Sequence, residues 1–151
     1  MQDSTIDKYE PVLTIGTVAA QIGISVQSIR LYEKEGLVLP HKTESGHRMF
    51  SMHDLDRLKC IREMLTTGGL NINGARRLMS MVPCWDYKGG LDEDCRNCPV
   101  YYEANGPCWT RGDVGPKCQL VNCRDCAVYR LEINCHKMKE IIFGHKPIEK
   151  K

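Results

Sequence analysis

Ile15, Val18, Ala19 and Ile22 recur at i, i+3, i+4 and i+7, the spacing of one face of a short helix. Thr14 precedes that run and suits its N-cap, and Gly23 suits a left-handed stop. Ser25 predicts the start of a second helix, with Val26 and Ile29 turned inward, running to about Glu35 and closed by Gly36. Two helices parted by Gly23-Ile24 make a helix-turn-helix candidate. Leu37-Val38-Leu39-Pro40 and Arg48-Met49-Phe50 flank a polar loop with a Ser45-Gly46 turn, which predicts a small hairpin. Leu55, Leu58, Ile61 and Leu65 mark a third helix stopped at Gly68-Gly69. Ile72, Ala75, Leu78 and Met79 mark a fourth, ended before Pro83.

Past Pro83 the periodicity fades into Gly, Pro, Cys and aromatic residues. It returns at Val128, Leu131, Cys135, Met138 and Ile142, whose 3-4-3-4 spacing is that of a two-strand seam, over about two heptads. That segment reads equally as a dimerisation helix or as an amphipathic helix packed on its own domain. The expected fold is mainly α. It comprises an N-terminal tail (1–11), a winged helix-turn-helix with a hairpin wing (12–82), a cysteine-rich unit (83–127), an amphipathic helix (128–143) and a tail (144–151).

Composition narrows the classes. A chain of 151 residues holds one ordinary domain or two small ones. No apolar run approaches the ~20 residues of a membrane span, and the polar stretch from Met1 to Tyr9 is unlike a signal peptide. A cytoplasmic protein is expected. The net charge of +2 neither requires nor excludes nucleic acid, because a local basic patch suffices to grip phosphate. Eight of the nine cysteines fall between Cys84 and Cys135. Without an export signal, that density points to metal binding or redox chemistry rather than a disulfide framework.

Three stretches carry a family resemblance. They are Leu13-Thr14-Ile15-Gly16 followed by Val18-Ala19, the run Ser28-Ile29-Arg30-Leu31-Tyr32-Glu33-Lys34-Glu35-Gly36-Leu37, and Gly46-His47-Arg48-Met49-Phe50. In register and order, residues 12–82 resemble the MerR family of transcriptional regulators. Its usual forms are an Ile-Arg-Tyr-Tyr-Glu-x-x-Gly-Leu core and a Gly-Tyr-Arg-x-Tyr wing. Leu31 replaces the first tyrosine of the core pair and His47 the wing tyrosine.

A second helix of this kind enters the major groove with its N-terminal side chains nearest the bases. Ser25, Gln27 and Arg30 lie there, Gln27 suited to an adenine edge and Arg30 to a guanine edge or a phosphate. The resemblance favours backbone roles for Arg30 and Tyr32. It makes Lys42 and Arg48 of the wing the expected phosphate clamps. It further implies double-stranded promoter DNA, RNA polymerase and a homodimer as partners, with activation by distorting DNA that is bound in both states. The family's long dimer helix follows the fourth helix directly, and here Pro83-Cys84-Trp85 interrupts it.

In the second half Cys84, Cys95, Cys98, Cys108, Cys118, Cys123 and Cys126 are the candidate metal ligands, while Cys60 and Cys135 read as small buried hydrophobes. Cys95-x2-Cys98 and Cys123-x2-Cys126 are the strongest signal, since that spacing lets two thiolates meet one ion. Cys118-x4-Cys123-x2-Cys126 also matches the local ligand run of plant-type ferredoxins. One four-thiolate centre from the two pairs, with spare thiols, is the expectation. With Cys84-Trp85 and Cys108-Trp109, the pattern resembles the two-CW domain attached to bacterial signalling proteins, which implies a sensory input. An iron–sulfur cluster is the expected cofactor and zinc the alternative, because structural zinc alone offers no switch; bare thiol sensing is the third reading. The rivals are a regulator whose zinc-bound domain docks a partner protein, and a small thiol- or cluster-based redox enzyme. For the enzyme, no phosphate-cradling glycine loop, zinc His-Glu motif or nucleophile elbow is present.

Overall fold

The computed structural model of the chain describes residues 5–103 and 105–131. Thr14 caps α1 (Ile15–Ile22) by accepting the Thr17 amide at 3.2 Å, and Gly23 ends it at φ 76°. Ser25 caps α2 (Val26–Lys34) by accepting the Ser28 amide at 3.1 Å. Gly36 turns the chain away at φ 75°, a left-handed geometry that glycine adopts without a Cβ clash. The strand β2 (His41–Lys42) pairs antiparallel with β3 (Arg48–Phe50), forming the expected wing. A strand not foreseen, β1 (Leu13–Thr14), pairs with the other edge of β3, giving the order β1-β3-β2. That pairing ties the entry of α1 to the wing.

Two more helices complete this half. Ser51 and Asp54 form a reciprocal capping box at the start of α3 (Met52–Thr66), and Asn71 caps α4 (Ile72–Ser80). Val18, Ile29, Leu37, Val38, Phe50, Leu55, Leu58, Ile61 and Ala75 are almost completely buried, so α1 to α4 and β3 share one core. At ~25 cal/mol per Å² of apolar surface, each large side chain here contributes roughly 1.5–3 kcal/mol.

The cysteine region is a chain of short turns. These are α5 (Cys84–Tyr87), α6 (Glu93–Arg96), α7 (Pro99–Tyr102), a 3-10 turn at Cys108–Thr110, α8 (Pro116–Gln119) and a 3-10 turn at Cys123–Asp125. Each carries a cysteine within it or at its cap. Residues 128–131 lie in a turn and a bend rather than in the start of a helix. The rest of the expected amphipathic helix, with Cys135, lies outside the described residues.

This region packs directly onto the helical half. Trp109 Nε1 donates to the Gly36 carbonyl at 2.6 Å. The Tyr129 hydroxyl accepts the Leu39 amide and donates to Asp54 Oδ1, both at 2.8 Å. The two rings meet edge to face, 5.2 Å between centroids, and the Arg57 guanidinium lies against both, 4.7 Å from the Trp109 centroid and 4.5 Å from that of Tyr129. Arg57 also donates to the Leu37 carbonyl at 2.8 Å and to the Tyr129 carbonyl at 3.2 Å. Arg124 reaches the Leu39 carbonyl and Asp54 Oδ2. Bonds from all four side chains converge on Gly36–Leu39, the segment that joins α2 to the wing.

Candidate DNA-reading face and thiol pockets

On α2, Ser25, Gln27 and Arg30 are exposed, as the sequence leads one to expect of a reading helix. Ser25 also spends its hydroxyl on the cap and on a 2.9 Å contact with Ser28 Oγ. Tyr32 does not join them. Its ring is 9 % exposed and belongs to the core, while Leu31 on the same helix is 43 % exposed. Its position falls on the inward face with Ile29, so most of the side chain packs in the core.

The wing differs from expectation in its electrostatics. Arg48 pairs closely with Glu33 of α2, and Lys42 Nζ lies 3.8 Å from the other oxygen of that carboxylate. Both expected clamps thus lean on one acidic group, which fixes the wing against α2 but draws on their charge. Between helix and wing runs a cleft lined by Thr14, Arg30, Thr43, Ser45, His47 and Arg48. Motif reasoning names His47 as a wing substitution but misses the hydroxyls of Thr43 and Ser45, because in the wing it takes only cations as contacts. Removing the carboxylate is expected to free both cations. Glu33→Gln should tighten non-specific DNA binding and steepen its salt dependence by about 0.9 in log–log slope for each additional phosphate neutralised. Unchanged or weaker binding across a salt titration would contradict this.

Residues 13–82 match the family model described as MerR HTH family regulatory protein. This segment is a MerR-family helix-turn-helix domain. Over 71 residues the chain is 37 % identical to the HTH-type transcriptional regulator GlnR of Bacillus anthracis, covering 47 % of this chain and 54 % of that protein. It is 38 % identical over 69 residues to the mercuric resistance operon regulatory protein of Bacillus cereus, covering 45 % and 52 %. To the putative heat shock protein HspR of Streptomyces coelicolor it is 30 % identical over 71 residues, covering 47 % of each. The chain spans about half the length of the curated relatives it matches. The likeness to these relatives extends over about the length of the MerR-type domain, so the cysteine region stands on its own geometry. No helix among the described residues is long and apolar enough to cross a membrane.

Seven thiols of the cysteine region are free. Cys84, Cys95, Cys98 and Cys118 line one pocket, beside Trp85, Tyr101 and Lys88. Cys108, Cys118, Cys123 and Cys126 line a second, beside Trp109, Arg111, Tyr129 and again Lys88. The two Cys-x2-Cys pairs therefore face different pockets, rather than meeting at one four-thiolate centre as their spacing suggests. Of the cysteines between the pairs in sequence, Cys108 lines the second pocket and Cys118 lines both. Among the described residues, no three Cys, His, Asp or Glu side chains converge closely enough to hold one ion. The sulfurs surround small volumes instead of a single point.

Burial pushes the Cys108 thiol up to about 12, and it also raises Cys84 and Cys123, with neighbouring sulfurs adding to each. All three are protonated at neutral pH in this form. Lys88 Nζ donates to Cys118 Sγ at 3.0 Å, and its own pKa is raised although burial opposes the shift. The Gly115 amide points at Cys98 Sγ at 3.3 Å. Soft donors, apolar walls and a cation at the boundary fit thiolate-bound metal. Cys60 is buried in α3 and disulfide-bonded, so it is more than the packing residue the sequence predicts and is not one of the free thiols.

His53 closes the joint from below. Its ring lies against Tyr9 and Tyr129, with Nε2 3.1 Å from the Leu131 carbonyl. Burial holds its pKa below 6.5 despite that carbonyl. Between the lowered value and 6.5 the unfolded chain binds more protons than the folded one, so stability rises with pH through that window. Acidification below about 6.5 is expected to lower the urea midpoint, and His53→Gln should flatten that part of the profile. An identical slope in the variant would show that His53 is not responsible.

Proposed function

We propose that the protein is a DNA-binding transcriptional regulator of MerR type in which the cysteine region is the input. Two copies related by a two-fold axis would read a pseudo-palindromic promoter site, with RNA polymerase as the eventual partner. The input is a thiolate-bound metal centre responsive to metal supply or redox state, with an iron–sulfur cluster as the proposed form and zinc as its alternative. The observation that carries this reading is the set of bonds from Trp109, Tyr129, Arg57 and Arg124 onto Gly36–Leu39. Cys108 adjoins Trp109, and Cys126 lies one turn from Tyr129. Any movement of those sulfurs therefore reaches the segment that sets the angle between α2 and the wing.

When bound, the metal centre supplies the change of charge and size that distinguishes two states. This chain's residues do the rest. Arg57 and the two rings transmit displacement, Gln27 and Arg30 face the bases, and Lys42 and Arg48 sit at the phosphates. A ligand shifts an equilibrium only by its different affinity for the two states. The aromatic joint gives the thiol pockets a physical route to such a difference, separate from the chain connection through Pro83.

The test has two parts. Selection of bound duplexes from a random pool should return a two-fold symmetric site, protected over both halves in footprinting. Absorption of an anaerobic preparation should show broad near-ultraviolet and visible bands from a cluster; a colourless, zinc-containing protein would select the alternative cofactor. No enriched duplex from the pool would overturn the DNA-binding reading itself.

A further inference from the structure

The seven free thiols divide into two groups of three with one between them. Cys84, Cys95 and Cys98 line only the first pocket, Cys108, Cys123 and Cys126 only the second, and Cys118 lines both. Lys88 also lines both, with its ammonium on Cys118 Sγ at 3.0 Å. Four-coordinate metal with thiolate ligands requires four donors per ion. Two separate ions would require eight, one more than the free thiols among the described residues. A thiolate has lone pairs enough to bind two metals, so one shared sulfur reduces the requirement to seven.

We propose that the cysteine region holds two adjacent thiolate metal centres rather than one, each with three cysteines of its own and Cys118 as the ligand they share. For divalent ions the balance is two M²⁺ and seven thiols giving one seven-thiolate, two-metal unit of charge 3− and seven protons released to solvent. No electron is transferred. The excess negative charge falls beside Lys88 at the boundary. It also falls beside Arg111 of the second pocket, whose Nη1 is buried with no hydrogen-bond partner among the described residues. The sulfurs do not yet converge at bonding distance, so loading must draw the short turns inward. Cys108 and Cys126 would then pull on Trp109 and Tyr129. This rests on reading the region as a metal-binding input.

The test is a titration of the full, reduced chain with Co²⁺, followed by its thiolate charge-transfer and ligand-field bands, with ferrous iron plus sulfide as a parallel arm. The expected result is two Co²⁺ per chain. Cys95→Ser/Cys98→Ser and Cys123→Ser/Cys126→Ser should each retain one, and Cys118→Ser should weaken both by tenfold or more. Because a double variant can fail to fold, the wild-type chain is also alkylated at half saturation and its cysteines mapped by mass spectrometry. Cys84, Cys95 and Cys98 should be protected as one set, and Cys108, Cys123 and Cys126 as another. A single equivalent, or joint protection of Cys95 and Cys98 with Cys123 and Cys126 but not the other thiols, would overturn the two-centre site while leaving a metal input intact. Binding of neither Co²⁺ nor iron would overturn both. In the iron arm, separate loading of the two sets supports the division equally, and one cluster spanning both Cys-x2-Cys pairs refutes it.

Discussion

Arg57→Met should destabilise the protein by about 3 kcal/mol and loosen the cysteine region from the DNA-reading half. Arg57 is 1 % exposed, and burial lowers its pKa to about 10, although Tyr129 and Asp54 oppose the shift. The substitution keeps a flexible apolar stem but removes two hydrogen bonds to carbonyls and two cation–π contacts. Unsatisfied buried carbonyls cost roughly 1–3 kcal/mol each, and desolvated cation–π contacts contribute about 2 kcal/mol. Relief of a buried charge, and of the Arg57 Nη2 that has no partner among the described residues, offsets part of that loss. Asp54, fully buried, would keep Tyr129 and Arg124 as its neighbours. A denaturant midpoint equal to wild type would show that the aromatic clamp contributes nothing to the joint.

Arg30→Ala should cost about 1–3 kcal/mol per half-site, or roughly 5- to 150-fold in affinity, if its guanidinium meets a base edge. If it meets a phosphate instead, the loss should be uniform across sequences, with the salt slope lower by about one. Arg30 is exposed on α2 and lines the cleft between helix and wing, whereas Arg48 on the same cleft is held by Glu33. Loss of Arg48 should therefore weaken binding less directly, through a wing released from Glu33. Anisotropy titrations of both variants on one duplex at two salt concentrations separate these outcomes. Wild-type affinity in Arg30→Ala would remove α2 from the interface.

The helical half is legible in the sequence because its signals are local. Apolar spacing places α1 to α4, and Thr14, Ser25, Gly23 and Gly36 mark their ends through backbone chemistry confined to a few residues. The Ser51-x-x-Asp54 capping box is equally local, although the apolar spacing alone does not reveal it. Strand β1 is not legible, since two residues become a strand only when Phe50 and Met49 arrive beside them. The inward packing of Tyr32 is not legible in the motif, which conveys identity without the face of the helix. Cys-x2-Cys spacing shows that two sulfurs are near each other but says nothing of what they face. The short turns that carry the thiols have no period from which their partition between two pockets could be read. Nor does the sequence reveal that Trp109 and Tyr129, both far along the chain, grip Arg57.

Central to the proposed regulation is a mechanical joint between the thiol pockets and the segment from α2 to the wing. The Leu39 amide reports on that joint, because it donates to the Tyr129 hydroxyl across 90 residues of sequence. Hydrogen exchange of the full chain, compared before and after Co²⁺ loading, reads it directly. Exchange at Leu39 is expected to change together with that of the turns at Cys108 and Cys123, and Tyr129→Phe should abolish the change at Leu39 alone. Exchange at Leu39 that stays constant while the cysteine turns become protected would contradict the joint.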